Sequence, residues 1–267
     1  MFRFFLKKNF ADGWDNMFFL MVSNVFAIVV LAAAFYGIRF SLRVNPFLPN
    51  AVLIGAGGIL MTLIFAYGAN AAKIANFGSG SFGTFFRAFS YAWRIGFFSG
   101  AALMLLVLMI RFGVIYYLSA GGFFSLAMIA FLGWFSFISA CALQWFVPLY
   151  FLQEQNGFSK CLKKSFIIFF DNPLFSVGVF FHNVVIFLIS CAFFMIVPGF
   201  FGLTLSSTNA LRLRLKKYDW LEEMEQREPG FSTDRNRRNE IPWDDLLAED
   251  RETLGPRKIS SFIFPWK

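Results

Sequence analysis

Five polar or ionisable side chains lie inside otherwise apolar stretches of the sequence, where they could do chemistry. Ionisable groups are costly in a bilayer and tend to be functional there. An imidazole can carry a proton or bind a ligand. Amides can line a path for a neutral solute or, more ordinarily, bond one helix to its neighbour. These residues form a candidate polar path: Asn70, Arg111, Gln144, His182 and Asn183.

No catalytic signature accompanies these side chains. The sequence contains no phosphate-binding glycine loop followed by Lys-Ser/Thr, no His-Glu-x-x-His and no Cys-x-x-Cys pair. The predicted membrane spans contain no Asp, Glu or Lys. General acids and bases are therefore missing where an intramembrane enzyme would need them. We expect a non-enzymatic protein with no catalytic residues, no cofactor and no metal site.

The composition indicates that the elements carrying these side chains are membrane helices. Hydrophobic residues make up 58% of the 267 residues, 41 residues are Phe, and only 15% are charged. Soluble domains have about 25% charged residues. Apolar runs of about 20 residues, long enough to cross a bilayer, recur along the chain. We predict an all-α polytopic protein with an integral membrane domain, residues 1–217, followed by a tail, residues 218–267.

The apolar runs predict four spans and leave the number of further spans open. The four cover residues 17–38, 51–72, 95–117 and 124–150. The remaining apolar region, residues 172–211, holds either one span or two. Pro198 and Gly199 favour a break between two helices, which would make residues 200–215 a short sixth span.

Basic residues favour six spans over five. With the N-terminus in the cytoplasm, six spans place thirteen basic residues inside and three outside. Five spans would move the group at 212–217 outside and weaken this asymmetry, which the positive-inside tendency predicts. We therefore expect about six spans, with both termini cytoplasmic.

Two amphipathic segments, each preceding a span, are predicted to lie in the cytoplasmic membrane interface. In both, aromatic residues follow helical spacing and basic residues lie beside them, the pattern of helices that bind anionic headgroups. The first covers residues 82–94 and the second covers residues 158–169. The expected contacts are Phe82, Phe85, Phe86, Arg87, Phe89, Trp93 and Arg94 in the first, and Lys160, Lys163 and Lys164 in the second.

The tail is predicted to contain a linker, a short amphipathic helix and an aromatic terminus. The segment IPWDDLLAEDRETLG forms the helix, which ends at Gly255. Its aromatic anchors would dock on the bilayer, on a partner protein, or back onto the body of the chain. These anchors are Trp243, Phe262, Phe264 and Trp266.

The segments FGTFFRAFSYAWRIGFFSG, LKKSFIIFFDNPLFSVG and PGFFGL resemble the YesL-type bacterial integral membrane proteins over roughly residues 10–217. That resemblance implies a multi-pass protein of the bacterial inner membrane, in a family of uncertain activity that is often associated with carbohydrate uptake or polysaccharide-use systems. It implies no catalytic residues, and the extended tail departs from the family pattern.

We expect an accessory or scaffold component that contacts the lipid bilayer and transport-system subunits or a cytoplasmic partner. The alternative is a small transporter or channel for a neutral solute. The net charge of +8 belongs to the membrane body, so no nucleic-acid binding is expected.

Overall fold

The structure is a computed structural model that describes residues 1–153, 157–231 and 241–256. In chain order their helices are α1 (Phe2–Asp15), α2 (Met17–Ser41), α3 (Leu48–Ala75), α4 (Phe82–Ala120), α5 (Gly122–Leu143), α6 (Phe146–Leu152), α7 (Phe158–Asp171), α8 (Pro173–Ala192), α9 (Gly199–Arg227), α10 (Trp243–Leu246) and α11 (Ala248–Leu254).

The predicted all-α membrane class is confirmed. Five of the described helical stretches are long and apolar enough to cross a bilayer: α2, α3, α4, α5 together with α6, and α8. The first four contain the four predicted spans, with one difference. The fourth span was predicted to be continuous to residue 150, but the helix is interrupted by a turn at Gln144 and Trp145 before α6 begins.

The predicted count of six spans is not supported, because residues 200–215 belong to a longer and more polar helix. The chain does break at Pro198, and Gly199 has φ +63°, which favours glycine. However, α9 runs on to Arg227 and is not among the helices apolar enough to span. Its first turn lies beside Asn24, in the second turn of α2 and about 10 Å along that helix.

The first and last described helices nevertheless lie at the same end of the bundle. The Lys7 ammonium in α1 donates to the Gly255 carbonyl, which follows α11, at 3.1 Å. Arg212, in the basic part of α9, donates to Asn76 at the end of α3 at 2.8 Å. The basic groups of the N-terminus and of α9 therefore share one end, as the charge argument requires, although α9 is not a full span.

The first predicted interfacial helix is not a separate element. Ser81 accepts a hydrogen bond from the Thr84 amide and caps α4, which then continues for 39 residues without a break. At 1.5 Å per residue α4 is about 58 Å long, roughly twice the thickness of the hydrocarbon core. Residues 82–94 are thus the first turns of the third span. The second predicted segment does form a separate amphipathic helix, α7.

Small residues let α3 and α4 pack closely. A side chain at Gly96 would come within 2.7 Å of the Thr62 Cα atom, and one at Gly58 within 2.7 Å of the Phe97 ring. Gly100 packs directly against the backbone of Gly57. These glycines therefore serve packing between helices of the same chain.

Helix α9 lies at the centre of the bundle, in contact with α1, α2, α3, α6 and α8. Most of its residues from Gly199 to Leu213 are buried. The helix passes through the predicted domain boundary at 217 and 218 without a break, and Leu221 beyond it is still buried. The first part of the predicted tail therefore extends a core helix.

The described part of the remaining tail folds back onto the body. Residues 243–254 form two short helices, α10 and α11, rather than one, and Gly255 ends the second with φ +70° as predicted. Leu247 and Leu254 are buried in the same apolar cluster as Phe4 of α1. The predicted anchors Phe262, Phe264 and Trp266 lie outside the described residues.

Candidate functional site: polar contacts along helix α9

A cluster of amides joins α5, α8 and α9 in the middle of the bundle. The Asn183 amide donates to Ser207 Oγ at 3.0 Å and to Gln144 Oε1 at 3.3 Å. Gln144 in turn donates to the carbonyls of Cys141 and Ser176, each at 2.8 Å. Gln144 follows the last turn of α5, so its side chain bonds α8 to the helix end that the turn interrupts. We call these residues the Gln144 cluster.

A second set of contacts reaches α9 from α1. Asn9 Nδ2 lies 3.3 Å from His182 Nε2, and Asn209 donates to Asn9 Oδ1 at 3.3 Å. Asn9 and His182 are the polar groups of a groove of about 450 Å³ between α1, α2, α8 and α9. The rest of the groove is apolar, with Phe10, Leu20 and Ile186 among its walls.

The other two candidate residues lie elsewhere. Asn70 is buried in α3 and accepts a hydrogen bond from the Ser81 amide at 2.9 Å, so it holds the connection to α4. Arg111 is exposed on α4, with its guanidinium 6.0 Å from the centre of the Phe112 ring. The structure therefore brings Gln144, His182 and Asn183 together around α9 and leaves Asn70 and Arg111 apart from them.

Two further polar sites were not identified from the sequence. Asn24, fully buried in α2, bonds the turn that precedes α9. Lys8 and Asp12 of α1 form a buried ion pair of 2.8 Å, with the Lys8 ammonium 3.8 Å from the centre of the Phe77 ring. Burial lowers the pKa of Lys8 and raises that of Asp12. The i, i+4 spacing of Lys8 and Asp12 was the available signal.

From Arg212 onward, α9 carries basic residues with acidic partners from distant parts of the chain. Lys217 pairs with Asp171, at the end of α7, at 3.1 Å. The Tyr218 hydroxyl donates to the same carboxylate at 2.8 Å. Asn172 donates to that hydroxyl at 2.7 Å, so the α7–α8 junction is bonded to α9. Arg212 and Lys216 bind Asp250 of α11.

The predicted interface residues fall into two groups. Phe85 is buried against α2 and α3, where its ring stacks on Tyr67 and Phe26, and Lys164 donates to Gln153 at 2.8 Å. Trp243 lies over the Arg214 guanidinium. The others are exposed: Phe82, Phe86, Arg87, Phe89, Trp93, Arg94, Lys160 and Lys163.

Replacing Asn183 with alanine is expected to reduce the free energy of unfolding by about 1 to 2 kcal/mol, because interhelical hydrogen bonds in membranes contribute about 0.6 kcal/mol on average and at most about 1.7. Unfolding in mixed micelles measures the change. A cycle with Ser207→Ala isolates the bond between the two side chains. A coupling energy of zero would contradict a bonding role for this pair.

No protein-family model, no characterised protein sequence and no solved structure matches this chain. The resemblance to YesL-type proteins therefore stays a prediction. The function proposed for this chain therefore rests on the contacts within the chain itself.

Proposed function

We propose that this chain is a non-enzymatic accessory or scaffold protein of the bacterial inner membrane, linked to solute uptake and in particular to carbohydrate uptake. The proposal rests on the placement of α9. Its first half is core of the bundle, and its second half is a charged helix in which Lys217 and Leu221 are still buried. A helix fixed in this way holds a surface at a defined position and orientation beside the membrane, as a docking component requires.

The outer half of α9 offers charged groups for such docking. Glu222 and Glu223 are exposed, and Glu223 pairs with Arg227 on the same face. Leu221 on the opposite face is buried, so rotation of the helix about its axis would expose this side chain. This arrangement supports a fixed acidic face that a basic surface of a transport-system subunit would recognise.

The interior supports the same proposal. In the Gln144 cluster, Asn183 donates to Gln144 and Ser207, and Gln144 donates to two backbone carbonyls. Side chains engaged in this way hold helices together. Arg111 and Asn70 take no part in the cluster, so the candidate residues form no continuous polar line through the bundle.

A second candidate function is favoured by the groove beside α1. Its volume of about 450 Å³ is that of a small-ligand pocket, and His182 and Asn9 are placed in it as polar contacts. The groove supports the transporter alternative, in which a neutral solute or amphipathic molecule would bind between α1 and α8.

Sugar uptake measured in liposomes and in cells separates the two candidate functions. The purified protein is reconstituted alone in liposomes, and influx of labelled neutral sugars is compared with empty liposomes. We expect the same influx in liposomes with and without the protein. We also expect cells that lack the protein to take up the same sugars more slowly than cells that contain it. The full chain should restore uptake, and a chain with Glu222→Lys and Glu223→Lys should not.

The matched control is Glu249→Lys with Glu252→Lys, which makes the same charge change on exposed positions of α11. This control should restore uptake. Saturable influx in liposomes that Asn9→Ala abolishes would establish the second candidate instead. Full restoration by the α9 lysine variant would remove the acidic face from the proposal.

A further inference from the structure

The groove beside α1 presents a concave apolar surface. Leu6 and Trp14 of α1 and Val185, Ile189 and Phe193 of α8 line it, and each of these residues is 37% to 57% exposed. Side chains that face lipid are ordinarily exposed, but these border a volume of about 450 Å³. A concave apolar surface of this size is typical of a binding site rather than of a lipid-facing helix.

Asn9 and His182 provide polar contacts in this groove. Asn9 Nδ2 lies 3.3 Å from His182 Nε2, so one ring nitrogen of the imidazole is engaged. The other ring nitrogen can bond a further group. An occupant that suits the groove is therefore mainly apolar and carries a few hydrogen-bonding groups.

The described part of the tail ends beside the groove. The Lys7 ammonium donates to the Gly255 carbonyl at 3.1 Å, and Leu6, the neighbour of Lys7 in α1, lines the groove. Leu254 is already buried in the apolar cluster that contains Phe4 of α1. The groove thus lies next to a surface of α1 that the tail covers.

The next residues of the chain, RKISSFIFPWK at 257–267, lie outside the described residues but have the length and composition of an occupant for the groove. Eleven residues reach about 36 Å when extended, whereas the wall from Leu6 to Trp14 is about 12 Å long. The segment combines two serines with large apolar side chains: Ile259, Phe262, Ile263, Phe264 and Trp266. Helix α11 can therefore keep its ion pairs with α9 while the segment reaches the groove.

We propose that residues 259–266 dock in the groove beside α1 of the same chain, where their aromatic side chains pack between α1 and α8 and their polar groups bond Asn9 and His182. Docking of a segment tethered beside its site is an intramolecular event, and short tethers give effective concentrations in the millimolar range. A second copy or a partner protein has no such advantage. The docked segment fills the space in which a neutral solute would otherwise bind.

The bilayer interface is the competing surface for these aromatic residues. Pro265 lacks a backbone donor and prevents a continuous helix through the segment. An irregular backbone in lipid leaves polar groups without partners, and the groove supplies Asn9 and His182 as partners. These contacts favour the groove over the lipid.

The first experiment identifies what the segment touches. The full chain is made with a photoreactive benzoylphenylalanine in place of Phe264 and reconstituted in liposomes of phosphatidylethanolamine and phosphatidylglycerol. After irradiation, we expect cross-links to the peptides of α1 and α8 that line the groove. The control carries the same photoreactive residue in place of Phe112, an exposed residue of α4, and should cross-link lipid. Cross-links from position 264 to lipid alone, to a second copy or to helices that do not line the groove, or none at all, would overturn the proposal.

The second experiment closes the groove. Val185→Trp places a large ring in it, whereas Val184→Trp adds the same ring to an exposed position of α8 that does not line the groove. Both variants keep an apolar side chain at an exposed position of a membrane helix, so neither should disturb the fold. The first should lower the yield of the cross-link to α1 several-fold, and the second should leave it unchanged. Equal yields in the two variants would contradict docking in the groove.

Discussion

Replacing Asn24 with leucine is expected to lower the free energy of unfolding by about 3 to 5 kcal/mol, since each unsatisfied buried polar group costs about 1 to 3 kcal/mol. Asn24 donates to the carbonyls of Ile196 and Pro198 at 2.9 and 2.8 Å and accepts from the Phe201 amide at 3.0 Å. Leucine has a similar volume and leaves the Ile196 carbonyl and the Phe201 amide without their partner, whereas the Pro198 carbonyl keeps its hydrogen bond from the Gly202 amide at 3.0 Å.

The cost is large because water cannot replace these bonds. Asn24 is fully buried, and Phe201 beside it is fully buried as well. Irregular backbone at this depth is tolerated only where protein groups satisfy it. The start of α9, and with it the position of the Gln144 cluster, therefore depends on one side chain from α2.

Unfolding in mixed micelles measures the Asn24→Leu effect. Asn45→Leu is the matched control, because Asn45 accepts one hydrogen bond, from the Phe47 amide, in an exposed turn. The control should cost about 1 kcal/mol or less, the ordinary value of one hydrogen bond. If both variants lost the same stability, Asn24 would not be the residue that holds the turn.

Hydropathy sufficed for the spans because each apolar run must satisfy its own backbone in a bilayer. It failed at α9 because the same apolar residues also suit a helix buried among other helices. From the sequence, residues 200–215 read as a span. In the structure they start beside Asn24, and no local pattern encodes that contact between residues far apart in the chain.

The same distinction applies to the candidate site. Gln144, His182 and Asn183 were identified because polar residues in apolar runs are conspicuous. Their partners Asn9 and Ser207 were not, since Asn9 lies in a polar N-terminal segment and Ser207 in a run of small polar residues. Finding the partners requires the packing of α1 and α8 on α9.

The tail shows most clearly what cannot be predicted from the sequence. From the sequence, the tail could dock on a membrane, on a partner protein or on the chain itself. Composition does not distinguish these three surfaces. The ion pairs of Asp250 with Arg212 and Lys216 join residues more than thirty positions apart. Such pairs follow from the folded arrangement of α9 and α11, which charge patterning along the sequence does not determine.

Removing the carboxylate from the buried pair of α1 is the second large effect we expect. Asp12→Asn leaves the Lys8 ammonium, only 1% exposed, without its partner at 2.8 Å. Breaking one side of a buried pair costs about 3 to 5 kcal/mol, whereas replacing both sides by apolar groups costs far less. Lys8→Met with Asp12→Leu should therefore be more stable than Asp12→Asn alone.

The pH dependence of Asp12→Asn distinguishes this cause from a general packing defect. Burial already lowers the pKa of Lys8, and losing Asp12 removes the main attraction that opposed it. The unfolded state then binds more protons than the folded state, so stability rises with pH. Unfolding at pH 7 and pH 9.5 should show the deficit shrinking. Glu223→Gln, which breaks the exposed pair with Arg227, should cost about 0.5 kcal/mol at most. A deficit unchanged between the two pH values would mean that Lys8 keeps its proton in the folded variant as it does in the unfolded state, and would contradict a pKa lowered by burial.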